Sequence, residues 1–115
     1  MATIKSFTGV TQSKVLAEFL PIESADMYYS KTKILNSDET DYIVKVGTSI
    51  VITDVPCWSL AALLSVLPDY TLQTNTDGTV FVVCDSKKPM ISDAYDNSVD
   101  ACVEIIERLH ELKML

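Results

Sequence analysis

Glycine is scarce in this chain, with only Gly9, Gly47 and Gly78 in 115 residues. That leaves no glycine-rich loop to cradle a phosphate. Histidine occurs once, at His110, so no Ser-His-Asp arrangement stands out. The three cysteines form no CxxC pair, and an odd count argues against a disulfide framework, which fits a reducing compartment. No run is long and apolar enough to span a membrane; the longest, within residues 55–67, is interrupted by Ser59 and Ser65. The opening residues MATIKSFTGVTQSK lack the apolar core of a secretory leader, so a cytoplasmic location is expected. Basic residues are few: 9 Lys and Arg against 16 Asp and Glu, a net charge of −7. Lys87 and Lys88 are the only adjacent basic pair. Direct nucleic-acid binding is therefore not expected, because a phosphate backbone calls for a basic footprint.

What is present is apolar. Hydrophobic residues make up 48% of the chain, enough for a core and too many for disorder. The length fits one compact domain over residues 1–115. The acidic stretch NSDETD, residues 36–41, reads as a surface connection.

The elements follow from spacing. In SKVLAEFL, Val15, Leu16, Phe19 and Leu20 recur at helical intervals and Pro21 stops the helix. MYYSKTKIL and DYIVKVGTSIVIT are rich in tyrosine and β-branched residues and read as strands, with Gly47 at a bulge or a turn. DVPCWSLAALLSVLP, residues 54–68, reads as a buried helix, with Asp54 as N-cap, Pro56 in the first turn, leucines at 60, 63, 64 and 67, and Pro68 at its end. Asp77-Gly78 between two β-rich runs predicts a two-residue hairpin turn. Pairing Thr76 with Thr79 then sets Leu72 opposite Val83 and Thr74 opposite Phe81, with Tyr70, Leu72, Phe81 and Val83 on the core face. A slip of one residue would reverse that assignment. PMISDAY reads as a further short strand. The last helix has Asn97 as N-cap, Asp100 in a capping-box position and an apolar stripe of Val99, Cys102, Val103, Ile106 and Leu109. Glu104 and Arg108 form an i, i+4 pair, and Lys113 complements the helix dipole.

The expected fold is α+β, a two-layer domain in which an antiparallel sheet of three to five strands packs against about three helices. The uncovered sheet face would carry Val80 and Val82, and Trp58, Tyr28 and Tyr29 would supply an aromatic surface. These five residues form the candidate interaction surface.

Catalytic constellations are thin. Cys57 at a helix start would have a lowered pKa, but a cysteine in an apolar helix packs as a small hydrophobe, and His110 lies far along the chain. Cys102 and His110, eight residues apart on one helix, are about 12 Å apart along its axis and cannot share a metal ion. DAYDNSVD lacks the oxygen spacing of a calcium loop. No catalytic, cofactor-binding or metal-binding residue is assigned.

The segments PIESADMYY, VPCWSLAALLSVLP and DNSVDACVEIIERLHELKML resemble small uncharacterised proteins of gut-bacterial phages and mobile elements. The resemblance implies a bacterial, intracellular, mobile-element origin and carries no activity and no functional residue. Three readings result. The first is a non-enzymatic accessory protein that binds a protein partner or forms a homodimer, with no membrane role. The second is an acidic inhibitor that imitates nucleic acid, with carboxylates from Asp93 to Glu111. The third is a thiol-dependent enzyme using Cys57.

Overall fold

Two small antiparallel sheets and three helices make up the fold, an α+β architecture. The structure is a computed structural model, and it describes residues 5–33, 40–49, 51, 53–84 and 89–113. In chain order the elements are α1 (Val10–Leu16), β1 (Met27–Lys33), β2 (Thr40–Val46), β3 (Val55–Cys57), α2 (Leu60–Val66), β4 (Tyr70–Thr74), β5 (Val80–Cys84), β6 (Met90–Ile91) and α3 (Ser98–Glu111). A single 3₁₀ turn, Ile22–Ser24, follows α1. The strands divide between two sheets, ordered β2-β1-β3 and β4-β5-β6. Residues 36–39 of the acidic stretch, Lys87 and Lys88, and the final two residues of the C-terminal segment lie outside the described residues.

α3 anchors the core. Asn97 caps it by accepting from the Asp100 amide at 2.8 Å, and the Asn97 side chain donates to the Asp100 carboxylate at 2.9 Å. The first of these bonds satisfies one of the backbone donors that a helix start leaves open. Val99, Cys102, Val103, Ile106 and Leu109 are buried, joined by Ala101 and Ile105. On the other side Arg108 pairs with Glu104 at 2.7 Å. The buried face packs on β5 and on α2, so sheet and helices form two layers.

The hairpin turns where the sequence places it, but the register is different. Leu72 faces Val82, Gln73 faces Phe81, and Asn75 closes the loop by donating to the Thr79 carbonyl. The loop therefore holds three residues, Thr76, Asp77 and Gly78, with Gly78 at φ +90°. A three-residue loop needs one left-handed position after its turn, and glycine fills it without strain. The extra loop residue turns β5 over. Val82 and Cys84 are fully buried, whereas Phe81 and Val83 are only half-buried. Leu72 still packs on the core, but Tyr70 is exposed. The expectation that Val80 and Val82 lie on an uncovered face is thus corrected.

The stretch 54–68 is also divided differently. Residues 55–57 pair with β1 as a short strand, and the helix starts only at Leu60. The cap is Ser59, not Asp54: its hydroxyl accepts from the Ala62 amide, while its own amide and hydroxyl donate to the Asp26 carboxylate. Pro56 is tolerated because β3 is an edge strand, where a missing N–H breaks no ladder bond. At the other end Leu67 is extended, as a residue before proline prefers, and the helix stops. α1 starts earlier than its apolar spacing predicts, at Val10, because Gln12 reaches back to the Gly9 amide at 3.0 Å. Gly47 ends β2 at φ +114°, and its amide donates to the Asp26 carbonyl. It is a strand-ending turn rather than a bulge.

Candidate functional site

The two faces of the first sheet carry different chemistry. Side chains alternate along each strand, so Tyr29 and Cys57 point one way while Tyr28 and Pro56 point the other.

On the inward face lies a buried polar cluster. The segment before α1 runs beside β3: the Thr8 amide donates to the Trp58 carbonyl at 2.9 Å, and the Trp58 amide donates to the Thr8 hydroxyl at 3.1 Å. The Thr8 and Ser13 hydroxyls share a bond of 2.7 Å. Tyr29 donates its hydroxyl to the Thr8 carbonyl at 2.7 Å. Cys57 is fully buried, with its sulfur 3.5 Å from the same carbonyl and 3.6 Å from the Thr8 hydroxyl. Burial pushes the Cys57 thiol up, and hydrogen bonds from Thr8, Ser13 and Tyr29 do not reverse it. Burial, with the neighbouring thiol, pushes Tyr29 up to about 12. A thiolate is the reactive form, so this environment suppresses nucleophilic chemistry. Cys57 is not in the first turn of a helix as expected: it ends β3, and α2 starts only at Leu60. Every buried side-chain nitrogen and oxygen among the described residues has a hydrogen-bond partner. The cluster is a polar clamp that ties the N-terminal segment to β3.

The outward face is open and mixes apolar with charged side chains. Tyr28 and Pro56 are half-buried, and Ile43 on β2 is 48% exposed. Lys45 lies opposite Tyr28 on this face, next to Ile43. A shallow depression borders it, lined by Ile22, Met27, Tyr28, Thr48, Val51 and Pro56. Ile22 and Val51 are exposed large hydrophobics. Exposed apolar groups that adjoin one another mark interaction surfaces more often than scattered ones do.

The five candidate residues do not meet. Trp58 is fully buried, and its indole N–H donates to the Ser24 hydroxyl at 2.9 Å. Tyr29 is buried in the clamp. Val82 is in the core beside α3, and Val80 is half-buried with its backbone bonded to Tyr95. Tyr28 alone reaches the open face. Ile22, Ile43 and Val51 were not legible as site residues, because only the pairing of β1 with β2 and β3 brings their surroundings together.

The other candidates also find structural roles. Lys5 and Gln12 both donate to the Asp100 carboxylate at 2.8 Å. Burial raises this carboxyl, but hydrogen bonds from Lys5, Asn97 and Gln12 outweigh it and leave it lowered. Glu104 accepts from Arg108 and from the Asp93 amide. Glu107 is raised, by burial and by Glu111 and Glu104 nearby. His110 stacks on Phe19 with centroids 4.0 Å apart. Cys102 is fully buried, and burial beside Cys84 pushes it up to about 12. Among the described residues no three His, Cys, Asp or Glu side chains are grouped to hold a metal ion, and no helix is long and apolar enough to cross a membrane. Compared with known proteins, the chain matches no family model, no curated protein and no solved structure.

Proposed function

We propose that the chain is a small accessory protein that acts by binding another protein. The observation that carries this reading is the open outward face of the first sheet, where Tyr28 and Pro56 line a depression with the exposed Ile22 and Val51, and the exposed Ile43 lies further along the same face. Tyrosine is a favoured anchor on such surfaces, because its ring is rigid and its hydroxyl tolerates water. The thiol-enzyme reading loses support from the sealed, raised Cys57. The nucleic-acid-mimic reading loses two of its carboxylates, since Asp100 and Glu104 are engaged by Lys5 and Arg108. The bacterial mobile-element setting implied by the resemblance directs the choice of lysate.

The test is capture by the immobilised full chain from a bacterial lysate, with two variants in parallel. Tyr28→Asp/Ile43→Asp charges the open face, and Glu107→Gln/Glu111→Gln neutralises part of the α3 acidic side. The expected result is a stoichiometric partner that is lost with the first variant and retained with the second. The reverse pattern favours the mimic. A partner retained equally by both would sink the assignment of this face.

A further inference from the structure

We infer that β2 pairs edge to edge with β2 of a second copy of this chain, in an antiparallel register centred on Ile43. Among the described residues β2 has one neighbour, β1, and is an edge of its sheet. An edge strand offers a row of backbone groups for pairing. Which groups point outward follows from the ladder. The Gly47 amide donates to the Asp26 carbonyl, so residues 45, 43 and 41 also turn their backbone polar groups toward β1. Residues 42, 44 and 46 turn theirs outward. The Tyr42 amide fits this alternation, because its partner is the side chain of Asp41, at 2.8 Å, rather than β1.

A two-fold antiparallel pairing must match even-numbered residues with even-numbered ones. Centring it on Ile43 sets Tyr42 opposite Val44 of the second copy, and the outward backbone groups exchange bonds. The side chains then match. Asp41 meets Lys45 of the second copy and Lys45 meets its Asp41, with the two Ile43 side chains between the ion pairs. These are the non-hydrogen-bonded positions, where opposed side chains lie closest. Moving the centre to Val44 would set Ile43 opposite Lys45, and moving it to Lys45 would oppose two lysines. Only the Ile43 register makes both charge pairs complementary. Asp41, Ile43 and Lys45 are all exposed, so all three are available. In the monomer the Asp41 carboxylate shields the Tyr42 amide. On pairing it moves to Lys45 of the second copy, and the amide passes to the Val44 carbonyl. The product is a continuous six-stranded sheet that joins two copies of the open face. The inference goes beyond the interaction reading: it assigns the β2 edge to a second copy and leaves the open face to another protein.

The experiment is sedimentation equilibrium of the full chain across a concentration series, with circular dichroism confirming that each variant folds. The wild type is expected to dimerise. Asp41→Lys and Lys45→Asp should each weaken the dimer by about tenfold or more, because each turns two attractive pairs into two repulsive ones. Mixing the two variants should restore association as a heterodimer, since every opposed pair is then complementary again. Ile43→Cys should cross-link to itself under mild oxidation faster than Val44→Cys. A monomeric wild type, a dimer indifferent to the charge reversals, or mixing without restoration overturns the inference. Any of these leaves the open face to be judged by the capture experiment, so the two ideas fail separately.

Discussion

In the second sheet, β5 lies against α3, and its Val82 and Cys84 are sealed from solvent. In the first sheet, Tyr29 is the only buried side chain among those described on β1 and β2. The second sheet is held by apolar contact with a 14-residue helix that has seven buried residues. The first is held at its β3 side by hydrogen bonds through Thr8, Tyr29 and Trp58. Apolar burial is roughly proportional to area and needs no particular geometry, whereas a polar clamp depends on each partner being in place. Among the described residues both sheets leave an edge strand, β2 in the first and β4 in the second; what sets the first apart is its open outward face. On the proposed reading, stability and recognition are divided between the two halves.

Substitutions can break this division in graded steps. The largest effect is expected where the halves join. Trp58→Ala should cost about 3–5 kcal/mol in urea denaturation, because it empties a fully buried site and removes the indole bond to Ser24. Ile106→Ala under the second sheet should cost about 2–5 kcal/mol in the same measurement. Tyr29→Phe removes one hydroxyl from the clamp and should cost about 1–2 kcal/mol, with near-wild-type secondary structure by circular dichroism.

Asp100→Asn sits between the halves, since Lys5 and Gln12 reach it from the N-terminal segment. It should cost about 1 kcal/mol at neutral pH, as expected for a partly exposed ion pair with added hydrogen bonds. The folded-state pKa of Asp100 is lowered, so its contribution is present above the unfolded value of about 3.9 and is lost as pH falls through the folded one. The gap between wild type and variant should therefore close below about pH 4 in a pH series of denaturation curves. A constant gap would show that the charge is not what matters. The smallest effect belongs to the open face: Ile43→Ala should shift stability of the monomer by less than about 0.5 kcal/mol.

The same contrast explains what could be read beforehand. α3 was legible throughout, from Asn97 to Leu109, because its cap and stripe are local and its length gives the period four turns to declare itself. The hairpin was located by Asp77-Gly78, but its register was not. A two-residue and a three-residue loop share that dipeptide, and the difference of one residue decides which side of β5 is buried. Residues 54–57 misled for the opposite reason. An aspartate with a proline two residues on is a good local helix start, but pairing with β1 and the Ser59–Asp26 bonds are distant and prevail. Of the open face, Tyr28 was named from composition. Ile43 carries no local mark, and its position next to Lys45 and across from Ser30 exists only once β1 and β2 have paired.

Trp58 closes the contrast with a practical consequence. It is the sole tryptophan of the chain, fully buried, with its backbone on the Thr8 clamp and its indole on Ser24. Its fluorescence therefore comes from one place, the seam between the polar and apolar halves. A red shift on denaturation would time the opening of that seam alone, and comparing it with the helical ellipticity, to which α3 is the largest contributor, would show whether seam and helices come apart together.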